Sequence, residues 1–383
     1  MTEPFIVFGR PDIRDAEINE VVEVLRSGWI GTGPRVAEFE RRFAEFVSVP
    51  EALALNSCTA ALHLALIGHE VGPGDEVITT PMTFASSANV IVHVGAKPVF
   101  VDVQPESGLL EEEAIEAAIG PRTRAILTVD YLGRPCDYGP IRELAERHGL
   151  PIIEDAAHAV EARWHGRRVG SYAHSTAFSF YATKNLTTAE GGMLVSLDPD
   201  VIGRARRLSL HGLSADAWAR YTAKGKARYE VLEAGFKYNM TDIAAAIGLH
   251  QLGRLEENLA ARERLWRTFD ERLTGIEGLR LAPPIPAEDL SGRHLYTIKI
   301  EDPELRDPLI DHLKSRGVGT GIHFTALHLH PFYRERFGYE AGDFPEAEWI
   351  GARTVSLPFY PTLTEGEVDR ITGAVREFVS GSR

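Results

Sequence analysis

Between residues 51 and 197 short apolar runs alternate with stretches of helical period. "EALAL" (51–55), "EVITT" (76–80), "KPVFVDV" (97–103), "RAILTVD" (124–130), "LPIIEDA" (150–156), "STAFSFY" (175–181) and "GMLVSL" (192–197) read as seven strands. The segments between them read as helices: one beginning near Thr59, then "FASSANVIVHV" (84–94), residues 110–119 and "IRELAERHG" (141–149). Continuous apolar strands separated by amphipathic helices predict an α/β fold, in which a mostly parallel seven-stranded sheet carries helices on both faces. Ahead of this block stand an amphipathic helix over 14–27, the turn "GWIGTGP" (28–34) and a helix through "VAEFERRFAEF" (36–46).

Beyond residue 210 the pattern changes. Residues 211–237 are polar and weakly periodic, and a stretch this long without clear structure is read as a functional flap. One long helix follows over 241–273. The remainder mixes short strands, "RHLYTIKI" (293–300), "GVGTGIHF" (317–324) and "TVSLPFY" (354–360), with helices. The expected division is a large α/β domain over 1–250 and a smaller α+β domain over 251–383.

Composition narrows the function classes. The chain has 383 residues, 44% of them apolar, and a formal net charge of −14 without any Lys/Arg block beside aromatics. Nucleic acid and anionic membranes are therefore not expected as partners, since both need a concentrated positive field. Two cysteines, Cys58 and Cys136, make no disulfide framework, and no Cys/His spacing suggests zinc. No signal-like N-terminus and no membrane-length apolar run is present, so the expectation is a cytoplasmic protein.

The chemistry concentrates where strands end, which is where open α/β sheets bind ligands. Lys184 stands in "FSFYATKNLTTAEGGM" (178–193) with no acidic residue closer than Glu190. Asp155 closes an otherwise apolar strand, either as a cap for the next helix, as an ion-pair partner of Lys184, or as something more specific. Lysine and carboxylate at neighbouring strand exits are also the two groups that pyridoxal phosphate (PLP) requires: an amine for its aldehyde and a carboxylate to keep its ring nitrogen protonated. "LNSCTAALHLAL" (55–66) runs from a strand through small polar residues into an apolar helix, and such a helix start can hold a phosphate. Ser179 could add a hydroxyl there, or could be an inward serine satisfied by backbone. Phe84 can stack on a flat ring, and Ala157 is small enough to admit the ring's other face. His323, His328 and His330 in "GIHFTALHLHP" lack a carboxylate at ligand spacing, so no metal is expected, and His323 is read as a substrate-facing residue. His63 and Cys58 are read as buried packing residues.

"GWIGTGPRVAEFE", "GPGDEVITTPMTFASSANVI", "GAKPVFVDV", "IIEDAAHAVEA", "FSFYATKNLTTAEGG" and "GFKYNMTDIAAAIGLHQL", in this order, resemble the DegT/DnrJ/EryC1/StrS family of PLP-dependent sugar aminotransferases, across essentially the whole chain. The resemblance implies fold type I of the PLP enzymes, with Lys184 as the Schiff-base lysine and Asp155 on the ring nitrogen. It places His158 near the ring's phenolic oxygen, Phe84 and Ala157 on the two ring faces, and Cys58, Thr59, Ala60 and Ser179 around the phosphate. Asn239 would reach that phosphate from a second subunit, making the active unit a homodimer with shared sites. Thr32 and His323 are the candidates for substrate contact. L-Glutamate would be the amino donor and a nucleotide-linked ketosugar the acceptor.

"GVGTGIHFTALH…YRERFG" and "SLPFYPTLT" are most similar to the branch that aminates UDP-4-keto-pentose at C4. Phe84 stands where that branch commonly has tryptophan, and "TTAEGG" replaces the commoner "TTGEGG". C3 amination of an NDP-3-keto-6-deoxyhexose is the alternative, and a non-catalytic regulator of the same fold is the rival from another class. The related 3-dehydratases carry histidine in place of the lysine, so Lys184 favours transamination.

Overall fold

The computed structural model describes residues 4–214 and 229–381. Its centre is a seven-stranded sheet built from β1 (Ala52–Leu55), β2 (Glu76–Thr79), β3 (Lys97–Phe100), β4 (Thr123–Val129), β5 (Ile152–Asp155), β8 (Ser175–Ser179) and β9 (Gly192–Ser196), in the order β1-β9-β8-β5-β4-β2-β3. Only β9 runs against its neighbours; the pairs β8–β5, β5–β4, β4–β2 and β2–β3 are parallel. A two-stranded ribbon, β6 (Arg163–Trp164) with β7 (Arg167–Arg168), lies outside the sheet.

The unbroken apolar runs follow from burial on both faces. Ile78, Ile126 and Ile152 enter one core with Tyr138, Ile141 and Leu144. Their neighbours Val77, Ala125, Leu127 and Ile153 enter another with the helix Cys58–Gly68. At the far end of the sheet Ala52, Ala54, Phe178 and Met193 pack on Phe39, Phe43 and Val47 of the helix Pro34–Val47. A fourth core, Trp266, Phe269, Tyr296, Ile298, Leu309 and Val355 among its members, sits in the C-terminal part. It includes Ile6, whose N–H and carbonyl bond the Gly317 carbonyl and the Gly319 N–H, so the N-terminal arm is built into it.

Two expectations about elements are corrected. The stretch 241–273 is two helices, Asp242–Gly253 and Leu255–Leu273, broken at Arg254 (φ −111, ψ 4). Gly253 weakens the helix there, and the bend lets Leu249 and Leu252 serve the sheet core while Trp266 and Phe269 serve the C-terminal one. "GVGTGIHF" is no strand; Val318 pairs with Ile6 and Gly321 with Ser356 only as isolated bridges. Its three glycines favour bends over a ladder. Of the supposed flap, residues 211–214 and 229–237 carry pairings such as Leu213 with Val231; residues 215–228 lie outside the described residues.

Asp242 explains why "GWIGTGP" and "NMTDIAAAIG" travel together. Helix Pro34–Val47 has Gly33 at its start and no capping side chain of its own. Asp242 supplies it from afar, accepting from the N–H groups of Arg35 (3.1 Å) and Val36 (3.0 Å), while its own N–H donates to the Gly31 carbonyl at 2.7 Å. Asp242 is 1% exposed. Asp242→Ala leaves two donors without an acceptor and is expected to lower unfolding stability by about 1–3 kcal/mol, measured by urea denaturation with an unchanged m-value.

Among the described residues no helix is long and apolar enough to cross a membrane, and no group of three His, Cys, Asp or Glu is placed to hold a metal ion.

Candidate active site

β1, β2, β4, β5 and β8 all point the same way, so Leu55, Thr79, Val129, Asp155 and Ser179 end along one edge of the sheet. The residues that follow those ends line one cavity of about 370 Å³: Ser57 to Thr59, Thr83 and Phe84, Asp130, Ala157 and His158, and Thr183 with Lys184. Ser86, Val129, Asp155, Ser179, Tyr181, Glu190, Gly191, His323 and Phe324 complete it. The volume falls in the ~300–1,000 Å³ range of small-molecule sites.

Asp155 is 4% exposed, and its oxygens are already placed. Oδ2 accepts from the Ser87 hydroxyl at 2.7 Å; Oδ1 accepts from the Ala157 N–H at 3.1 Å and faces the Cys58 thiol at 3.9 Å. Burial pushes its carboxyl up, and these donors together with the charge of Lys184 pull it back. Lys184, held in its turn by a bond from its N–H to the Tyr181 carbonyl (2.9 Å), is pushed down to about 8 by burial, against the attraction of Asp155. The two charges share a cavity, and the carboxylate is oriented by Ser87 and Ala157. Its ion-pair role toward Lys184 is thus electrostatic rather than a direct bond.

One wall is the start of helix Cys58–Gly68. Ser57 caps it, accepting from the Ala60 N–H at 3.1 Å, so that group is engaged and Ala60 lies behind the lining. The Cys58 and Thr59 N–H groups, like any first-turn donors, have no intrahelical acceptor. β9 comes so close here that a Cβ on Gly192 would stand 2.4 Å from the Ser57 carbonyl carbon; only glycine lets strand and helix start meet. Cys58 is buried with its thiol pushed well up, and His63 is buried against Tyr238 (3.2 Å) and held down at about 4.

Phe84 is 64% exposed, an open aromatic face at the mouth, with Phe324 at 6.3 Å. His158 is buried in the lining, on Phe324 as well (6.0 Å), its imidazole held well below the ordinary range by burial, then by Lys184 and two further histidines. His323 donates or accepts at Ser356 Oγ (2.8 Å), stacks on Phe8 at 5.4 Å, and is held down at about 4.

Thr32 and Asn239 are not in this cavity. Asn239 donates to Thr32 Oγ1 at 2.6 Å, and both line a separate cavity of about 720 Å³ with Trp29, Glu40 and Arg206. Sequence reasoning missed Ser87, the strongest partner of Asp155, although it stands one helical turn after Phe84. It also missed Thr183, Tyr181 and Phe324 in the lining, although all three stand inside motifs quoted above.

A buried carboxylate and a half-buried amine held near 8 share one ligand-sized cavity, beside a helix start and an open aromatic face, and these are groups that a PLP-dependent enzyme requires. The model of the DegT/DnrJ/EryC1/StrS aminotransferase family matches residues 11–376. The protein MJ1066 of Methanocaldococcus jannaschii is 46% identical over 100% of this chain and 99% of its own length. The spore coat polysaccharide biosynthesis protein SpsC of Bacillus subtilis is 44% identical over 99% of this chain and 98% of its own. Spr1654 of Streptococcus pneumoniae in its PLP form superposes with a TM-score of 0.93, at 34% identity, covering 99% of this chain and 100% of that one; a PMP form superposes at 0.92. The chain belongs to the DegT/DnrJ/EryC1/StrS aminotransferase family, and is a pyridoxal phosphate-dependent sugar aminotransferase.

Proposed function

We propose that the enzyme moves the amino group of L-glutamate to the C4 keto carbon of a nucleotide-linked ketosugar, a UDP-4-keto-pentose or an NDP-4-keto-6-deoxyhexose. The observation that carries the site reading is the meeting of Lys184 and Asp155 on one cavity. C4 is favoured by the C-terminal motifs that resemble the pentose branch; C3 of an NDP-3-keto-6-deoxyhexose is the alternative acceptor.

When bound, pyridoxal phosphate supplies an aldehyde that takes up the amino group and a ring that absorbs the electron pair released at the donor's Cα. Lys184 anchors the aldehyde end. Its amine would carry the proton between the donor's Cα and the cofactor's C4′, and in the reverse sense from C4′ to the acceptor's former keto carbon, a task suited to a group held near 8. Asp155, fixed by Ser87 and Ala157, keeps the ring nitrogen charged. The first-turn N–H groups of Cys58 and Thr59, with Ser179, hold the phosphate; Ala60 supports this loop through its bond to Ser57. Phe84 and Ala157 would hold the ring between them, His158 would bond its phenolic oxygen, and His323 would meet the substrate. Asn239 and Thr32, which open to the other cavity within their own chain, are assigned to the site of a second copy in a homodimer. Residues 1–250 then form the cofactor-binding unit and 251–383 a smaller one, a division supported by the separate C-terminal core.

A panel of NDP-ketosugars incubated with glutamate, read by mass of the product, tests the acceptor. Amination of only 3-ketosugars would overturn C4, and no amination of any would overturn the sugar assignment. Asp155→Asn keeps the shape but removes the charge, and is expected to lower kcat by about 10²–10⁴-fold with the fold retained by circular dichroism. Wild-type kcat in that variant would remove Asp155 from the mechanism.

A further inference from the structure

The turn that carries Lys184 is tied to the C-terminal part of the chain through its next residue. Asn185 donates from Nδ2 to Glu161 Oε2 at 2.8 Å and to the Gly292 carbonyl at 2.6 Å. Both partners only accept, and a carboxamide has two N–H hydrogens, so both are committed. Oδ1 is what remains to face Nδ1 of His294, at 3.0 Å. A carbonyl oxygen cannot donate, so Nδ1 of His294 carries the proton.

His294 is 6% exposed, and burial followed by the charges of Lys184, His323 and Arg262 holds its imidazole well below the ordinary range. A neutral ring protonated at Nδ1 has a bare Nε2. An imidazolium there would face the charges of Lys184, His323 and Arg262, and would lie beside the His158 ring. The ring of His294 lies 4.4 Å from that of His158, at 37°. Phe324 stands near-parallel to His158 at 6.0 Å. The backbone presses the same way: Gly292 donates to the Gly133 carbonyl at 2.8 Å, and a Cβ on Gly292 would stand 3.0 Å from the His158 carbonyl oxygen.

We propose that Asn185 and His294 are a positioning pair for this reaction: Asn185 sets the tautomer and tilt of His294, and His294 sets the ring of His158 on the wall of the Lys184 cavity. His294 does not itself line that cavity, so it acts through His158. The assignment rests on the reading of the cavity as the PLP site.

Nitrogen-15 NMR of the cofactor-free wild type tests the tautomer without any activity. His294 is expected to be neutral with Nδ1–H from pH 6 to 8; an Nε2–H or doubly protonated ring overturns the proposal. Two variants then test the consequence. In His294→Leu the pH midpoint of the bound cofactor's visible absorption is expected to move by about half a unit and kcat to fall about tenfold, with KM little changed. His294→Gln, whose amide can donate to Asn185 Oδ1, is expected to restore both. A His294→Leu enzyme with the wild-type midpoint and kcat, or a Gln variant as impaired as Leu, overturns the proposal. Should His294→Leu not fold, the wild-type tautomer and the Gln variant still decide. A wild type that shows no visible cofactor absorption would overturn the site reading itself, and the proposal with it, whatever the tautomer.

Discussion

Lys184→Met is expected to abolish amino transfer and yet give a cofactor-free protein more stable than the wild type at neutral pH. Turnover with glutamate should fall by about 10⁴-fold or more, since the proposed mechanism gives this one amine both the anchoring of the aldehyde and the Cα proton transfer, and the bound cofactor's visible band should vanish. The stability gain has a separate cause. Burial lowers Lys184 from an ordinary value of 10.5 to about 8, so at pH 7 the folded chain carries an ammonium that water would solvate better. Methionine has nearly the same reach and no charge. The side chain keeps some solvent through the cavity, so the expected gain is of order 1–3 kcal/mol. The sign with pH follows from proton counts. Between about 8 and 10.5 the unfolded wild type binds the proton that the folded form has lost, so wild-type stability at this site rises with pH across that window. The variant lacks that rise. Urea melts of both cofactor-free proteins at pH 7 and pH 10 should show the gap closing at the higher pH; a variant less stable than the wild type at pH 7 contradicts the picture of a strained amine, and turnover within a hundredfold of the wild type would falsify the role of Lys184.

Apart from His323, the cavity residues that were legible in the sequence share a property: each stands within a few positions of a strand end. A parallel sheet buried on both faces writes itself as apolar runs, so the exits of β1, β5 and β8 could be placed from pattern alone, and with them Cys58, Asp155 and Lys184. What escaped was set by distance along the chain. His294 meets Asn185 across 109 positions, and a single histidine between a glycine and a strand gives no local sign of that. Ser87 was hidden for the opposite reason: a serine in the first turn of a helix looks like an ordinary surface-facing residue until the fold turns it onto Asp155. The break at Arg254 was missed because both halves of the stretch keep a helical period, and only the direction of burial changes between them. Thr32 and Asn239 were grouped with the lysine by resemblance. Within one chain they bond each other beside a different cavity, and it is the second copy that the proposal asks to unite them with it.

Arg262→Met is expected to lower stability by about 3–5 kcal/mol, the range for stranding one member of a buried ion pair. Arg262 is 2% exposed and Glu161 0%, and the guanidinium binds Glu161 Oε1 directly. Burial already pushes the Glu161 carboxyl up from 4.5, and Arg262, with Asn185, is what pulls it back. Without the guanidinium the buried carboxylate keeps only neutral donors, the Asn185 amide and its own backbone N–H, so its folded pKa climbs further above the unfolded value. A raised acid binds its proton more tightly folded than unfolded, so stability of the variant should fall as pH rises through that higher value and recover toward pH 5. The wild type should show far less of this slope at this site. Guanidinium chloride would itself screen the effect, so urea melts at pH 5 and pH 8 are the measurement. Equal stability of variant and wild type at pH 8 would mean that the pair contributes nothing to the fold. Adding Glu161→Gln to Arg262→Met removes the stranded charge and should restore most of the loss, the non-additivity expected of direct partners. The carboxamide oxygen introduced by Glu161→Gln can still accept from Asn185. That double variant therefore separates the two duties of the cluster: a fold stabilised by the ion pair, and a His294 held by Asn185, which needs an acceptor at position 161 but not a charge.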